Sequence, residues 1–216
     1  MKITYSIQVC NESRELYSLL NFLIKVIDKE DNINVVVDSL HVTDKVKLVL
    51  DNFKNNITIF ERPFDNFYKN ATFHMEKCTG DYNFGIDADE MPQEILIKEL
   101  KRVLEEHKVD ILYIPRINIH PGSTEEFRRC SSKFHVNEYG WINWPDYQGR
   151  VMKSDVKWTN EVHTKPITTG KLVGSIGETP KYALWHIKSV EKQESRWVNY
   201  NTITAPTSTN LYDLLM

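Results

Sequence analysis

In the first half of the chain, short apolar runs rich in β-branched residues alternate with longer segments whose apolar positions recur every three or four residues. Residues 3–9 alternate and carry β-branched and aromatic side chains, which predicts a strand. Leu16, Leu19, Leu20, Leu23, Ile24 and Ile27 then fall at helical spacing, with Asn11 or Ser13 as N-cap and Glu12 and Glu15 favourable in the first turn. Residues 33–37 are almost wholly apolar, as buried parallel strands are, and end in Asp38-Ser39. The pattern continues with a helix over 43–53, a strand over 57–60, a helix over 67–77 and a strand over 83–86. Pro92 is expected to open a helix reaching about His107, with Ile95, Leu96, Leu100, Val103 and Leu104 on its apolar face, before a fifth strand over 111–114.

Strands alternating with helices of this length predict βαβ units and an α/β fold, with a Rossmann-like, mostly parallel sheet flanked by helices. Ligands of such sheets gather beyond the carboxyl ends of the strands. Asn11-Glu12, Asp38 and Asp87-Ala88-Asp89 each follow such an end. The second half differs in character. All five tryptophans lie there, and its predicted strands (149–153, 162–165 and 182–187) are short and separated by Gly, Pro and Asn turns. It is expected to form an irregular, aromatic-rich lining laid against the first half. The organisation expected is one domain over 1–216: a ligand-binding half at 1–115, a lining half at 116–200 and a mobile tail at 201–216.

Composition changes this picture little. The 216 residues are 41% hydrophobic, 26% charged and 11% aromatic, ordinary for a globular protein. A net charge of −3 gives no global field toward nucleic acid or anionic membrane. Arg128-Arg129 with Lys133 is either a local basic patch or a solvated loop. Cys10, Cys78 and Cys130 are too scattered for a disulfide framework or a C-x-x-C metal site, so reduced thiols in a cytoplasmic protein are expected. The start of the chain carries no leader-like apolar stretch, and no apolar run approaches the roughly 18 residues of a membrane span.

The chemistry concentrates in Gly80-Asp81-Tyr82-Asn83-Phe84-Gly85-Ile86-Asp87-Ala88-Asp89-Glu90, a short apolar strand that ends in three acidic side chains. On an extended backbone Asp87 and Asp89 project to the same side. Hard oxygen ligands at a strand end suit Mg2+ or Mn2+, which can hold a diphosphate; the alternative is an acidic turn that stops a strand. The chain has neither a Gly-x-Gly-x-x-Gly after its first strand nor a Gly-x-x-x-x-Gly-Lys-Ser/Thr, so phosphates are expected on a metal rather than a glycine-rich loop.

Ordered motifs then extend over residues 3–200. They are Asn11-Glu12, Val35-Val36-Val37-Asp38-Ser39, Arg62-Pro63-Phe64, Thr79-Gly80-Asp81-Tyr82 and Asp87-Ala88-Asp89-Glu90. Further on come the stretch Pro145 to Met152, Glu161-Val162-His163, and His186 within Leu184 to Ser189. In this order they resemble the family 2 glycosyltransferases of the GT-A fold, nearest the lipopolysaccharide core glucosyltransferase-like subgroup. The resemblance implies an inverting, metal-dependent transfer of a sugar from a nucleotide-diphosphate sugar, with UDP the expected nucleotide. The acceptor hydroxyl would belong to a glycan, a lipid-linked saccharide or a hydroxymethylated DNA base. It places Asp87 near the ribose or metal, Asp89 and His186 on Mn2+ or Mg2+, Asp38 on the nucleobase, and Asn11 and Glu12 beside the nucleoside. Arg150 would meet the diphosphate or an acidic neighbour, and the general base would be Glu161 or His163, with Asp146 the other candidate.

Each role has an ordinary counterpart: Asp38 as cap of the helix over 43–53, Asn11 and Glu12 as caps, His186 as a core residue, Arg150 in a structural ion pair. The chain also departs from the family in three places. Thr164 stands where a carboxylate follows the histidine, Leu40 replaces a glycine after Asp38-Ser39, and Lys69-Asn70 lies upstream of the usual Arg-Asn position. A sugar-phosphate nucleotidyltransferase and a non-catalytic carbohydrate- or nucleotide-binding protein are the competing readings.

Overall fold

The structure, a computed structural model, describes residues 1–123, 134–159 and 165–190. Ile3–Val9 (β1), Ser13–Val26 (α1), Asn32–Asp38 (β2), Asp44–Phe53 (α2), Thr58–Arg62 (β3), Phe67–Glu76 (α3) and Tyr82–Asp87 (β4) follow the predicted alternation. After them come Glu90–Pro92 (β5), Glu94–His107 (α4), Ile111–Ile114 (β6), Arg116–Ile119 (β7), Gln148–Lys153 (β8), Val173–Ser175 (β9), a single 3-10 turn at Pro180–Tyr182, and Leu184–Ile187 (β10).

Among the described residues the main sheet runs β3-β2-β1-β4-β8-β6-β9. Its first four strands are parallel, β8 is antiparallel to both β4 and β6, and β9 is parallel to β6. A smaller sheet, β5-β10-β7, stands against the end of the large one where β4 turns into β5. Helices cover both faces. The apolar stripes of α1 (Leu16, Leu19, Leu20, Leu23) and α4 (Leu96, Ile97, Leu100, Leu104) enter one core with Ile7, Val35, Phe84 and Leu112. On the opposite face Met75 of α3 packs with Ile111 and Met152. Ile111 and Leu112 thus point to opposite cores, as adjacent strand residues must.

β1, a central strand between β2 and β4, is buried on both faces because helices cover both sides of the sheet, so its alternating polar residues also point into the interior. Its polar positions are satisfied internally: Thr4 Oγ1 donates to Asn32 Oδ1 at 3.0 Å, and Ser6 Oγ meets His74 Nδ1 at 2.6 Å. Gly80 is required by contact. A Cβ there would stand 2.7 Å from the Lys2 carbonyl oxygen and 2.9 Å from the Thr4 nitrogen, at the point where the chain enters β4 beside β1.

Three expectations change. Pro92 does not open a helix; it closes β5 opposite Leu184, and Gln93 takes the cap position of α4. Neither Asn11 nor Ser13 caps α1; Glu12 sits at the cap without a side-chain cap bond, its carboxylate folded back to accept from the amides of Cys10 at 3.0 Å and Asn11 at 3.1 Å. The second half is not laid against the first, since β8 enters the main sheet between β4 and β6. Its aromatic character is present locally, with Trp141 against Trp144 at 5.1 Å and against Trp185 at 6.4 Å. The expected strand over 162–165, the mobile tail, Cys130 and the basic triplet Arg128, Arg129 and Lys133 lie outside the described residues.

Candidate functional site

β4 carries Asp87 to the carboxyl edge of the parallel strands, level with Gln8 of β1. Ala88 and Asp89 then form a turn. The expected extended geometry is lost there, and Asp87 and Asp89 take different partners. Asp87 stays partly exposed and receives Arg150 Nη2 at 2.7 Å. Asp89 is buried, its Oδ2 lying 3.6 Å from His186 Nε2 and 3.5 Å from Lys188 Nζ.

Between them Glu90 is wholly buried and acts as a hub. Its Oε1 accepts from Arg150 Nη2 at 2.5 Å and from Arg116 Nη1 at 3.0 Å, and its Oε2 accepts from the Asp87 amide at 3.2 Å. Arg116 continues to Asp146, donating through Nε at 2.9 Å and Nη2 at 2.7 Å. Asp146 also accepts from Asn118 Nδ2 at 2.7 Å and Gln148 Nε2 at 2.9 Å. Residues from β4, β5, β7, β8 and the loop before β8 thereby form one alternating chain of charge, Asp87–Arg150–Glu90–Arg116–Asp146. The acidic crowding read from the sequence is compensated by the protein's own guanidinium groups.

The electrostatics follow. Burial opposes the charge of Arg150, but Asp87 and Glu90 outweigh it and hold its pKa above the ordinary value. Arg116 behaves alike between Glu90 and Asp146. Burial pushes the Asp146 carboxyl up, yet Arg116, Asn118 and Gln148 together leave it below its ordinary value. His120, nearby, is driven down to about 4 by burial, with His186, Lys188 and Arg116 adding to the effect.

His186 has a defined orientation. Asn118 Nδ2 donates to the Ile142 carbonyl at 3.2 Å and to Asp146, so its Oδ1 faces His186 Nδ1 at 2.7 Å. That oxygen can only accept, so Nδ1 carries the hydrogen and Nε2 presents its lone pair to Asp89. Burial lowers the His186 pKa against the opposing pull of Asp89, which keeps the ring neutral. The two acceptors, 3.6 Å apart, stand slightly wider than the roughly 3.0 to 3.4 Å between neighbouring ligands on one cation at about 2.1 Å, so a bound ion would draw them together. A second-sphere carbonyl behind a ligating imidazole is the usual support. Among the described residues no group of three or more His, Cys, Asp or Glu side chains gathers as a metal cage. Asp89 and His186 are thus a pair that could offer two ligands to a divalent ion, the others having to come from phosphate and water.

On the other side of β1, Asp38 holds two loops together. Its Oδ1 accepts from the amides of Leu40 and Phe64, each at 3.1 Å, and its Oδ2 meets His41 Nδ1 at 2.8 Å. It is not the cap of α2; Thr43 is, accepting from Val46 at 3.4 Å. Asn70 of α3, buried, donates to Gln8 Oε1 at 2.7 Å and accepts from Arg62 Nη1 at 3.1 Å. Arg62, Asn70 and Gln8 thus line the path from Asp38 toward Asp87. Glu161 and His163 lie outside the described residues.

Glu90 and Lys188 fall within the sequence motifs without a role assigned to them, and Arg116 and Asn118 fall outside the motifs. The signal was there in period two: Arg116 and Asn118 alternate with Ile117 and Ile119, and His186 and Lys188 with Trp185 and Ile187, so each pair shares a strand face. Strands this short give too little pattern to be noticed before their pairing is known.

The family model described as glycosyl transferase family 2 matches residues 6–165. The chain belongs to glycosyl transferase family 2. Among solved structures it resembles S. aureus TarS residues 1–349, with a TM-score of 0.59 at 14% identity over 97% of this chain and 67% of that one. The same fragment in complex with UDP gives 0.59 at 14% identity over 97% and 68% of the two chains. Its complex with UDP-GlcNAc gives 0.57 at 14% over 87% and 59%. The chain spans 41% of the longer TarS chain. At this identity the likeness establishes the fold, that of a GT-A glycosyltransferase. No curated protein sequence matches the chain significantly.

Proposed function

We propose that this family 2 chain transfers a sugar from a nucleotide-diphosphate sugar, a UDP-sugar, to an acceptor hydroxyl with inversion at the anomeric carbon. The observation that carries the reading is the Asp87–Arg150–Glu90–Arg116–Asp146 network beside the Asp89–His186 pair, at the edge where β1, β2 and β4 end. The UDP and UDP-GlcNAc in the TarS structures support the choice of donor. A divalent cation, Mn2+ or Mg2+, held by Asp89 and His186 with Asp87 at hand, would supply Lewis-acid neutralisation of the leaving diphosphate.

The chain's own residues do the rest. Asp38 fixes the two loops that meet the nucleobase and offers it a carboxylate edge, while Asn11 and Glu12 lie beside the nucleoside. Arg150, held between Asp87 and Glu90, is aimed by them and presents fixed positive charge to the diphosphate as it departs, which needs no reorganisation during reaction. The acceptor proton goes to Glu161 or His163. Asp146 is the weaker candidate, because a carboxyl held below its ordinary pKa takes a proton poorly near neutrality. The acceptor is a glycan or lipid-linked saccharide, as for the lipopolysaccharide core glucosyltransferase-like subgroup, or a hydroxymethylated DNA base. No helix among the described residues is long and apolar enough to cross a membrane.

Release of labelled sugar from UDP-sugars, to acceptor or to water, tests the activity. One of Glu161→Gln and His163→Ala should lose about 10²–10⁴-fold in turnover with UDP affinity retained. Parental turnover in both moves the base elsewhere. UDP binding without sugar release from any donor would favour the non-catalytic binding protein, a reading that Thr164 sustains by standing where the family has a carboxylate.

A further inference from the structure

Lys188 follows β10 with its side chain fully enclosed, its Nζ 3.5 Å from Asp89 Oδ2. That is the same oxygen that His186 Nε2 faces at 3.6 Å. The pair that could offer two ligands to a divalent ion therefore already has a cation beside it. Arg116 and Arg150 are engaged by Glu90, Asp87 and Asp146, so Lys188 is the cation that stands against Asp89 itself.

A bare divalent ion entering at Asp89 meets this ammonium within a few ångströms, away from water, where repulsion between like charges is several times what it is in solution. The ammonium is enclosed and cannot simply swing into solvent. An ion that arrives on a diphosphate brings its own solution. Its phosphate oxygens accept from the ammonium in charge-assisted hydrogen bonds, and the positive charge that opposed the ion becomes a contact to its ligand.

We propose that Lys188 is the resident counter-cation of Asp89: it excludes a bare divalent ion from the empty site and turns to the diphosphate of a metal–nucleotide complex, so that metal and donor are taken up together. The proposal rests on the nucleotide-sugar reading above and adds to it a residue that couples the two ligands. Coupling of this kind is reciprocal, so UDP must tighten Mn2+ by the same factor by which Mn2+ tightens UDP.

The test is Mn2+ binding, followed by calorimetry and by the Mn2+ electron paramagnetic resonance signal, with and without UDP, in the parent and in Lys188→Met. The parent should bind Mn2+ at least about tenfold more tightly with UDP present. In Lys188→Met, Mn2+ alone should bind about tenfold or more tighter than to the parent, and the UDP-dependent gain should shrink by a similar factor. Lys188→Gln, which keeps a hydrogen-bonding head without the charge, should behave like Lys188→Met. A purely structural lysine would weaken both ligands on removal. Mn2+ affinity in the parent that is indifferent to UDP overturns the proposal without any variant, and leaves the nucleotide-sugar reading standing. So does unchanged coupling in both variants. A parent that binds no UDP at all overturns that reading and this one with it.

Discussion

Asp38 is a single carboxylate on which two loops of the chain depend. It accepts from Leu40 and Phe64 and meets His41, so the loops after β2 and β3 are tied through one side chain. Asp38→Ala leaves two amides without their acceptor, and an unmet buried donor costs about 1–3 kcal/mol. The variant should therefore lose stability by about that much and also bind UDP more weakly, since the loops that would frame the base come apart. Urea unfolding and calorimetry on one preparation check both; intact stability with intact affinity contradicts the account. His74 makes a pH prediction. Burial drives its pKa down to about 4, against the opposing effect of Asp87. The folded chain keeps the ring neutral while the unfolded chain protonates it below about pH 6.5, so the unfolded state binds more protons between these limits. Its contribution is complete above about pH 6.5 and falls away by about 2–3 kcal/mol toward pH 4. Urea midpoints across that range should decline in the parent and less steeply in His74→Gln. Equal slopes would show that the ring is not held neutral by the fold.

The elements differ in how far the sequence discloses them. The helices α1, α2 and α4 and the strands β1 to β4 are long enough for a period of 3.6 or 2, or an unbroken apolar run, to stand out, and they appear within a few residues of expectation. β5, β7 and β9 are three or four residues each and escaped notice, because what makes them strands is partners far away in the chain. β7 and β10 pair Asn118 with His186, and no local pattern contains that pairing. The candidate site is legible to the same degree. Asp87, Asp89, Arg150 and His186 sit in recognisable motifs, whereas Glu90 and Arg116 become a charge chain only when β5, β7 and β8 converge. Gly80 is an element-scale case with a direct test. An added methyl would meet the backbone of Lys2 and Thr4, neither of which can turn aside, so the β1–β4 junction itself must shift. Overpacking of this kind costs about 1–3 kcal/mol. Gly80→Ala should lower the urea midpoint accordingly, with a near-parental value counting against the close approach.

For the whole molecule, the account holds that the fold brings acidic and basic side chains from four strands to one edge of a parallel sheet, and that this edge receives a metal-bound nucleotide diphosphate. The chain's net charge of −3 draws neither nucleotide nor acceptor, so recognition has to be local. Asp89 is where this claim is most exposed. Its carboxylate meets both His186 and Lys188, and it lies outside the core formed by α1, α4 and the central strands.

The most direct measurement is titration of UDP into the parent and into Asp89→Asn by calorimetry, each with Mn2+ and with excess chelator. The account expects saturable binding in the parent that weakens at least about tenfold, roughly 1.4 kcal/mol, on chelation. In Asp89→Asn, binding should be equally weak with or without Mn2+, and the melting temperature should fall as the enclosed Lys188 ammonium loses its carboxylate. UDP affinity in the parent that ignores chelation, or an Asp89→Asn variant that binds UDP with Mn2+ as the parent does, would contradict it.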